Sequence, residues 1–110
     1  MLIVEDETLL RGALATFFES RGLEVTQAGS VGEALRALEE VDFDAVVLDV
    51  GLPDGDGLSL LPQIDAERSI VITANPDPER FKRCGVLHHL EKPLDLRELM
   101  QTVDTLSVAA

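Results

Sequence analysis

Three short runs contain no polar residue at all: Leu2-Ile3-Val4, Ala45-Val46-Val47-Leu48 and Ile70-Val71-Ile72. A strand with one face in water alternates apolar and polar residues, whereas a strand covered on both faces is apolar throughout. Such runs belong to the centre of a parallel sheet with helices packed on either side. The sequence between them fits. Thr8 to Arg21 carries Leu10, Ala13, Leu14 and Phe17 at helical spacing, and Gly22 stands where a helix-closing glycine belongs. Ser30-Val31-Gly32-Glu33 has the form of a capping box that opens a helix running to about Glu40, with Ala34, Leu35 and Leu38 inward. Leu58 to about Asp65 suggests a short helix despite Pro62, and Glu79 to Cys84 another, closed by Gly85. Asp95, with Glu98 three places on, opens a last helix carrying Leu96, Leu99, Met100 and Val103. Leu23 to Ala28 is loosely strand-like and fits an edge; Val86 to Leu90 supplies a fifth strand. A strand-helix unit thus recurs five times, and right-handed crossovers fold it into an open, doubly wound α/β sheet. No repeat or linker divides the chain, so residues 1–110 are expected to form one domain.

Composition narrows the possible partners. With a formal net charge of −12, the surface repels phosphate backbones and anionic lipid, so direct nucleic-acid binding and membrane association are not expected. Tryptophan and tyrosine, which would stack on bases, are absent. Cys84 is the sole cysteine, which rules out an internal disulfide and a cysteine-rich zinc site and fits the reducing cytoplasm. No apolar run approaches the roughly 20 residues of a membrane span. The opening Met1-Leu2-Ile3-Val4-Glu5-Asp6-Glu7 lacks the pattern of a secretory signal. A cluster of acids can instead hold a hard cation such as Mg²⁺.

In an open parallel sheet, ligands sit beyond the carboxyl ends of the strands. Those ends carry Glu5-Asp6, Asp49 and Thr73, with Lys92 following the last strand. Three carboxylates in one crevice repel each other, and a divalent cation relieves the repulsion. Asp49 can then act as a nucleophile toward phosphorus. Phosphoryl transfer needs mainly positioning and neutralised oxygens. Lys92 supplies a compact positive charge and Thr73 a hydroxyl donor.

These residues resemble the receiver domain of bacterial two-component response regulators, the CheY-like family. The matching pieces are Leu2-Ile3-Val4-Glu5-Asp6-Glu7, Val47-Leu48-Asp49-Val50-Gly51-Leu52-Pro53 with Gly57, Val71-Ile72-Thr73-Ala74, and Lys92-Pro93. They span nearly the whole chain. The resemblance implies a flavodoxin-like (βα)5 fold with strand order 2-1-3-4-5. It implies that Asp49 accepts a phosphoryl group from a sensor histidine kinase or histidine phosphotransfer protein and controls an output domain or partner. Mg²⁺ would be bound by Asp6, Asp49 and the carbonyl of Gly51, with Glu5 acting through water. Thr73 would swing toward the phosphoryl group, Lys92 would pair with its oxygens across a cis bond to Pro93, and Ala74 would keep the site open. Such a domain phosphorylates and dephosphorylates itself but turns over no separate substrate, so no enzyme is expected.

The chain also departs from the family pattern. The stretches from Asp49 to Thr73 and from Thr73 to Lys92 are each a few residues short, which places shortened third and fourth helices there. Asn75-Pro76-Asp77-Pro78 removes backbone donors where the fourth helix should begin, so a reshaped signalling face is expected. His89 stands where the family places its switch aromatic, and Gly51 and Asn75 replace larger residues. As ordinary structure, His89 would be a half-buried strand residue, His88 would face solvent or the opposite side, and Cys84 would pack in a helix. Asp54-Gly55-Asp56-Gly57 reads as a turn rather than a calcium loop, because the EF-hand pattern breaks at Leu58 and Ser59. Two other functions stay open: a pseudo-receiver that binds partners without phosphorylation, and a phosphatase with an aspartate nucleophile. The second lacks an acid two places after Asp49.

Overall fold

The computed structural model of the protein describes residues 1–109. Five parallel strands form its sheet: β1 Leu2–Val4, β2 Thr26–Ala28, β3 Val46–Asp49, β4 Ser69–Thr73 and β5 His89–Glu91. Their spatial order is β2-β1-β3-β4-β5, as expected. Val4 lies beside Ala28 and Leu48, Asp49 beside Ile72, and Thr73 beside Glu91, so the carboxyl ends line up along one edge.

The helices are α1 Thr8–Glu19, α2 Val31–Glu40, α3 Pro78–Cys84 and α4 Leu96–Ala109. Successive side chains of a strand point to opposite faces, and here both faces are covered. Ile3, Val47, Ile70 and Ile72 pack against Leu14, Ala15 and Phe18 of α1 and Leu99, Val103 and Leu106 of α4. Leu2, Val4, Val46, Leu48 and Val71 pack on the other side, against Ala34 of α2, Phe81 of α3 and the leucines that follow β3. No helix among the described residues is long and apolar enough to cross a membrane.

Local chemistry explains where the elements differ from expectation. The segment after β3 forms two 3-10 helices, Gly57–Gln63 and Ala66–Arg68, instead of an α-helix. Pro62 lacks the N–H that an α-helical ladder would use there. Pro78 sits at the start of α3, where the missing N–H costs nothing. Asp77 accepts from the Arg80 N–H at 3.2 Å and Gly85 closes the helix at φ +79°. That closure includes Val86, whose N–H donates to the Phe81 carbonyl, so β5 begins at His89 and not at Val86. At the end of α1 the Leu23 N–H donates to the Phe18 carbonyl, and β2 is reduced to Thr26–Ala28. The buried face of α1 runs through Leu14, Ala15 and Phe18, while Ala13 is exposed and Leu10 and Phe17 are half-buried. Cys84 is exposed rather than packed. His89 is exposed rather than half-buried, and His88 is half-buried.

The loop after Asp49 is held tightly. Gly51–Leu52 and Gly55–Asp56 pair as a small antiparallel hairpin. At its tip, Asp54 accepts from the N–H groups of Val31 at 2.8 Å and Gly32 at 3.0 Å, which caps α2 from a distant part of the chain. Those two bonds hold the Asp54 carboxyl below its usual pKa. Gly57 then passes so close to β3 that a Cβ on it would lie 1.9 Å from the Asp49 carbonyl oxygen. Gly57→Ala is therefore expected to cost about 2 kcal/mol or more, since the obstacle is backbone that cannot step aside. Gly12→Ala, with open space around the added methyl, should leave stability equal or slightly higher. Urea unfolding of the two variants measures this; equal midpoints for Gly57→Ala and wild type would show that the close approach is not real.

Candidate functional site

Each strand end delivers one part of the site. Glu5 and Asp6 follow β1 directly, Asp49 is the last residue of β3, Thr73 is the last of β4, and Lys92 follows β5. Glu5, Asp49 and Thr73 are buried, Lys92 is half-buried and Asp6 is exposed. Carboxylate oxygens of Glu5, Asp6 and Asp49 lie within 4.8 Å of one another. The Lys92 ammonium donates to Glu5 Oε1 at 2.6 Å and to Asp49 Oδ2 at 3.2 Å, bridging the first and third strands. The second oxygens are held from the backbone: the Glu7 N–H donates to Glu5 Oε2 at 3.1 Å and the Gly51 N–H to Asp49 Oδ1 at 3.3 Å.

Lys92 is fixed by its own backbone as well. Its N–H donates to the Thr73 carbonyl at 2.8 Å, and its peptide bond to Pro93 is cis. Thr73 Oγ1 accepts from the Asn75 N–H at 3.1 Å, which keeps the hydroxyl at the strand end. Ala74 is exposed beside it. His89 lies apart from the acids, its ring 5.1 Å from that of Phe81 at an angle of 58°.

The electrostatics follow from this crowding. Burial pushes the Glu5 carboxyl up to about 7, and the Asp49 carboxylate adds to the rise while the Lys92 hydrogen bond opposes it. Burial also works against the charged form of Lys92, but its hydrogen bonds to Glu5 and Asp49 outweigh that and raise its pKa above the usual value. Three carboxylates against one ammonium leave negative charge to be balanced. The donors are all oxygen, the set that a hard divalent cation such as Mg²⁺ takes. The residues present therefore fit that ion. Sequence reasoning named every member of this cluster but not Arg11, which reaches in from α1 to the Glu5 carbonyl. An arginine inside an otherwise ordinary amphipathic helix gives no signal by itself.

The raised Glu5 pKa sets a pH dependence. The folded form holds a proton that the unfolded chain, near 4.5, gives up. Its stabilising contribution is thus full below pH 4.5 and is lost as pH rises through about 7. In metal-free buffer, wild type should lose on the order of 2–3 kcal/mol across that window relative to Glu5→Gln. Urea unfolding at a series of pH values measures the difference; parallel profiles would show that Glu5 ionises normally.

Comparison with known proteins identifies the family of the chain. Residues 1–104 match the family model of the response regulator receiver domain. The chain is 35% identical to the transcriptional activator protein PfeR of Pseudomonas aeruginosa over 96% of its length, and 32% identical to the aerobic respiration control protein ArcA of Escherichia coli over 90%. It spans 37% of the first and 44% of the second. The receiver domain of the Francisella response regulator 1452 superposes with a TM-score of 0.84 at 24% identity, covering 99% of this chain and 97% of that one. The chain belongs to the response regulator receiver domain family.

Proposed function

We propose that Asp49 is a phospho-acceptor and that residues 1–110, of which Ala110 lies outside the described residues, form one Mg²⁺-dependent switch. The single observation that carries this reading is the Lys92 ammonium between Glu5 and Asp49, with Asp6 beside them. In the reaction an Asp49 oxygen forms a bond to phosphorus as the phosphorus–nitrogen bond of a phosphohistidine breaks and the freed imidazole keeps the electron pair. Asp6, Asp49 and the Gly51 carbonyl would hold the ion directly and Glu5 through water. Bound there, Mg²⁺ supplies positive charge for the transferring oxygens. Lys92 exchanges its carboxylate partner for a phosphoryl oxygen. Thr73 turns its hydroxyl toward another, releasing the Asn75 N–H.

The donor is a sensor histidine kinase or a histidine phosphotransfer protein. A groove of about 610 Å³ lined by Leu10, Ala74, Lys92, Pro93 and Leu94 gives it an apolar approach to the site. The new charge biases the loop after Asp49 and, through α3, the face that carries His89. His89 takes the place of the switch aromatic, and an output domain or protein partner reads the change. The setting is the cytoplasm. Nucleic acid and membrane are not direct partners of so acidic a surface. The domain modifies itself and turns over no separate substrate.

Intact mass after incubation with Mg²⁺ and acetyl phosphate tests the assignment. Wild type is expected to gain one phosphoryl group, with none gained in EDTA or by Asp49→Asn. An Mg²⁺-saturated wild type that gains no mass from acetyl phosphate or from a phosphorylated histidine donor would favour a phosphorylation-independent interaction module.

A further inference from the structure

Asp6 is the member of the acid cluster with no side-chain support. Glu5 and Asp49 are each held by Lys92 and a backbone N–H, whereas among the described residues no hydrogen bond or ion pair holds the exposed Asp6 carboxylate. Its position is therefore set by its backbone. Beyond Val4 the sheet offers little: the Glu5 N–H still donates to the Ala28 carbonyl at 3.0 Å. The Glu5 carbonyl, which belongs to the same peptide plane as the Asp6 nitrogen, accepts from Arg11 Nη1 at 2.7 Å. A hydrogen bond from a guanidinium is charge-assisted, short and directional.

Arg11 is itself held in place. Its Nε donates to Gln27 Oε1 at 3.3 Å on β2. Its guanidinium lies over Gly29, where a Cβ would come within 2.8 Å of Nη1. The Gly29 N–H is bonded to Glu33 Oε1 at 2.6 Å, which anchors that stretch to α2. A side chain at position 29 would thus meet Arg11 first, with the Glu33 carboxylate next at 3.3 Å, and both are side chains rather than backbone.

We propose that Arg11 is a positioning residue for metal binding: it locks the Glu5–Asp6 peptide plane and so aims the Asp6 carboxylate at the ion. The proposal rests on the reading of the acid cluster as an Mg²⁺ site. It makes a prediction opposite in sign to that of simple charge. Removing a positive charge beside a cation site should tighten Mg²⁺ binding, whereas loss of positioning should weaken it.

Calorimetric titration with Mg²⁺ of wild type, Arg11→Gln, Arg11→Lys and Gly29→Ala separates the two. Thermal unfolding in EDTA, run alongside, reports any change in the fold itself. Arg11→Gln is expected to raise the dissociation constant about tenfold, the usual scale for losing a group that orients a ligand. Gly29→Ala should do the same with Arg11 still present, and Arg11→Lys should recover most of the loss. An unchanged or lower dissociation constant in Arg11→Gln overturns the proposal, as does a weakening that tracks lost thermal stability without rescue by lysine. Absence of Mg²⁺ binding in wild type would overturn the metal reading beneath it, and the two failures are thus distinguishable.

Discussion

The Lys92 ammonium holds together what the fold pushes apart. A parallel sheet gathers its carboxyl ends at one edge, and here the buried Glu5 directly follows β1 and the buried Asp49 ends β3. Lys92 reaches both from beyond β5, and its backbone is tied to the end of β4. One residue, through its side chain and its backbone, therefore links the ends of four strands. Burial, with the Asp49 carboxylate adding to it, still holds the Glu5 carboxyl above its usual pKa against the Lys92 hydrogen bond. A site with negative charge left over is suited to accept a divalent cation, which relieves the repulsion already present.

The loop after Asp49 connects the site to its surroundings. Gly57 presses against the Asp49 carbonyl, Asp54 caps α2, and Asp56 caps the first 3-10 helix while pairing with Arg80 of α3. Phe81, the next residue of α3, meets the His89 ring on β5. A shift at Asp49 thus has short, connected contacts to both α2 and the α3–β5 face. α3 is part of this linkage, since Arg80 pairs with Asp56 of the loop after Asp49 while Phe81 meets His89 of β5.

Much of this was legible in the sequence because the signals are strong where burial is complete. The apolar runs of β1, β3 and β4 identify themselves, and their last residues fix the site. Legibility fails where a neighbour decides the outcome. β2 and β5 are short edge strands trimmed by the closures after Phe18 and Phe81, and periodicity does not record such hydrogen bonds. The 3-10 form after β3 follows from Pro62 in a stretch that otherwise has helical composition. Arg11 was invisible for a similar reason: its role depends on the space above Gly29, a contact between residues that share no motif. Asp54 could be placed in a turn but not on α2, whose N-terminus it meets across a sequence separation of 23 residues.

The central claim is that one crevice holds the metal and the phosphoryl group together on Asp49. Fluorine NMR of the protein with beryllofluoride, a mimic of an aspartyl phosphate, tests it most directly. The account predicts bound fluoride resonances in wild type that require Mg²⁺ and vanish in Asp49→Asn. Bound resonances that persist without Mg²⁺ or in Asp49→Asn, or none at saturating Mg²⁺, would contradict it.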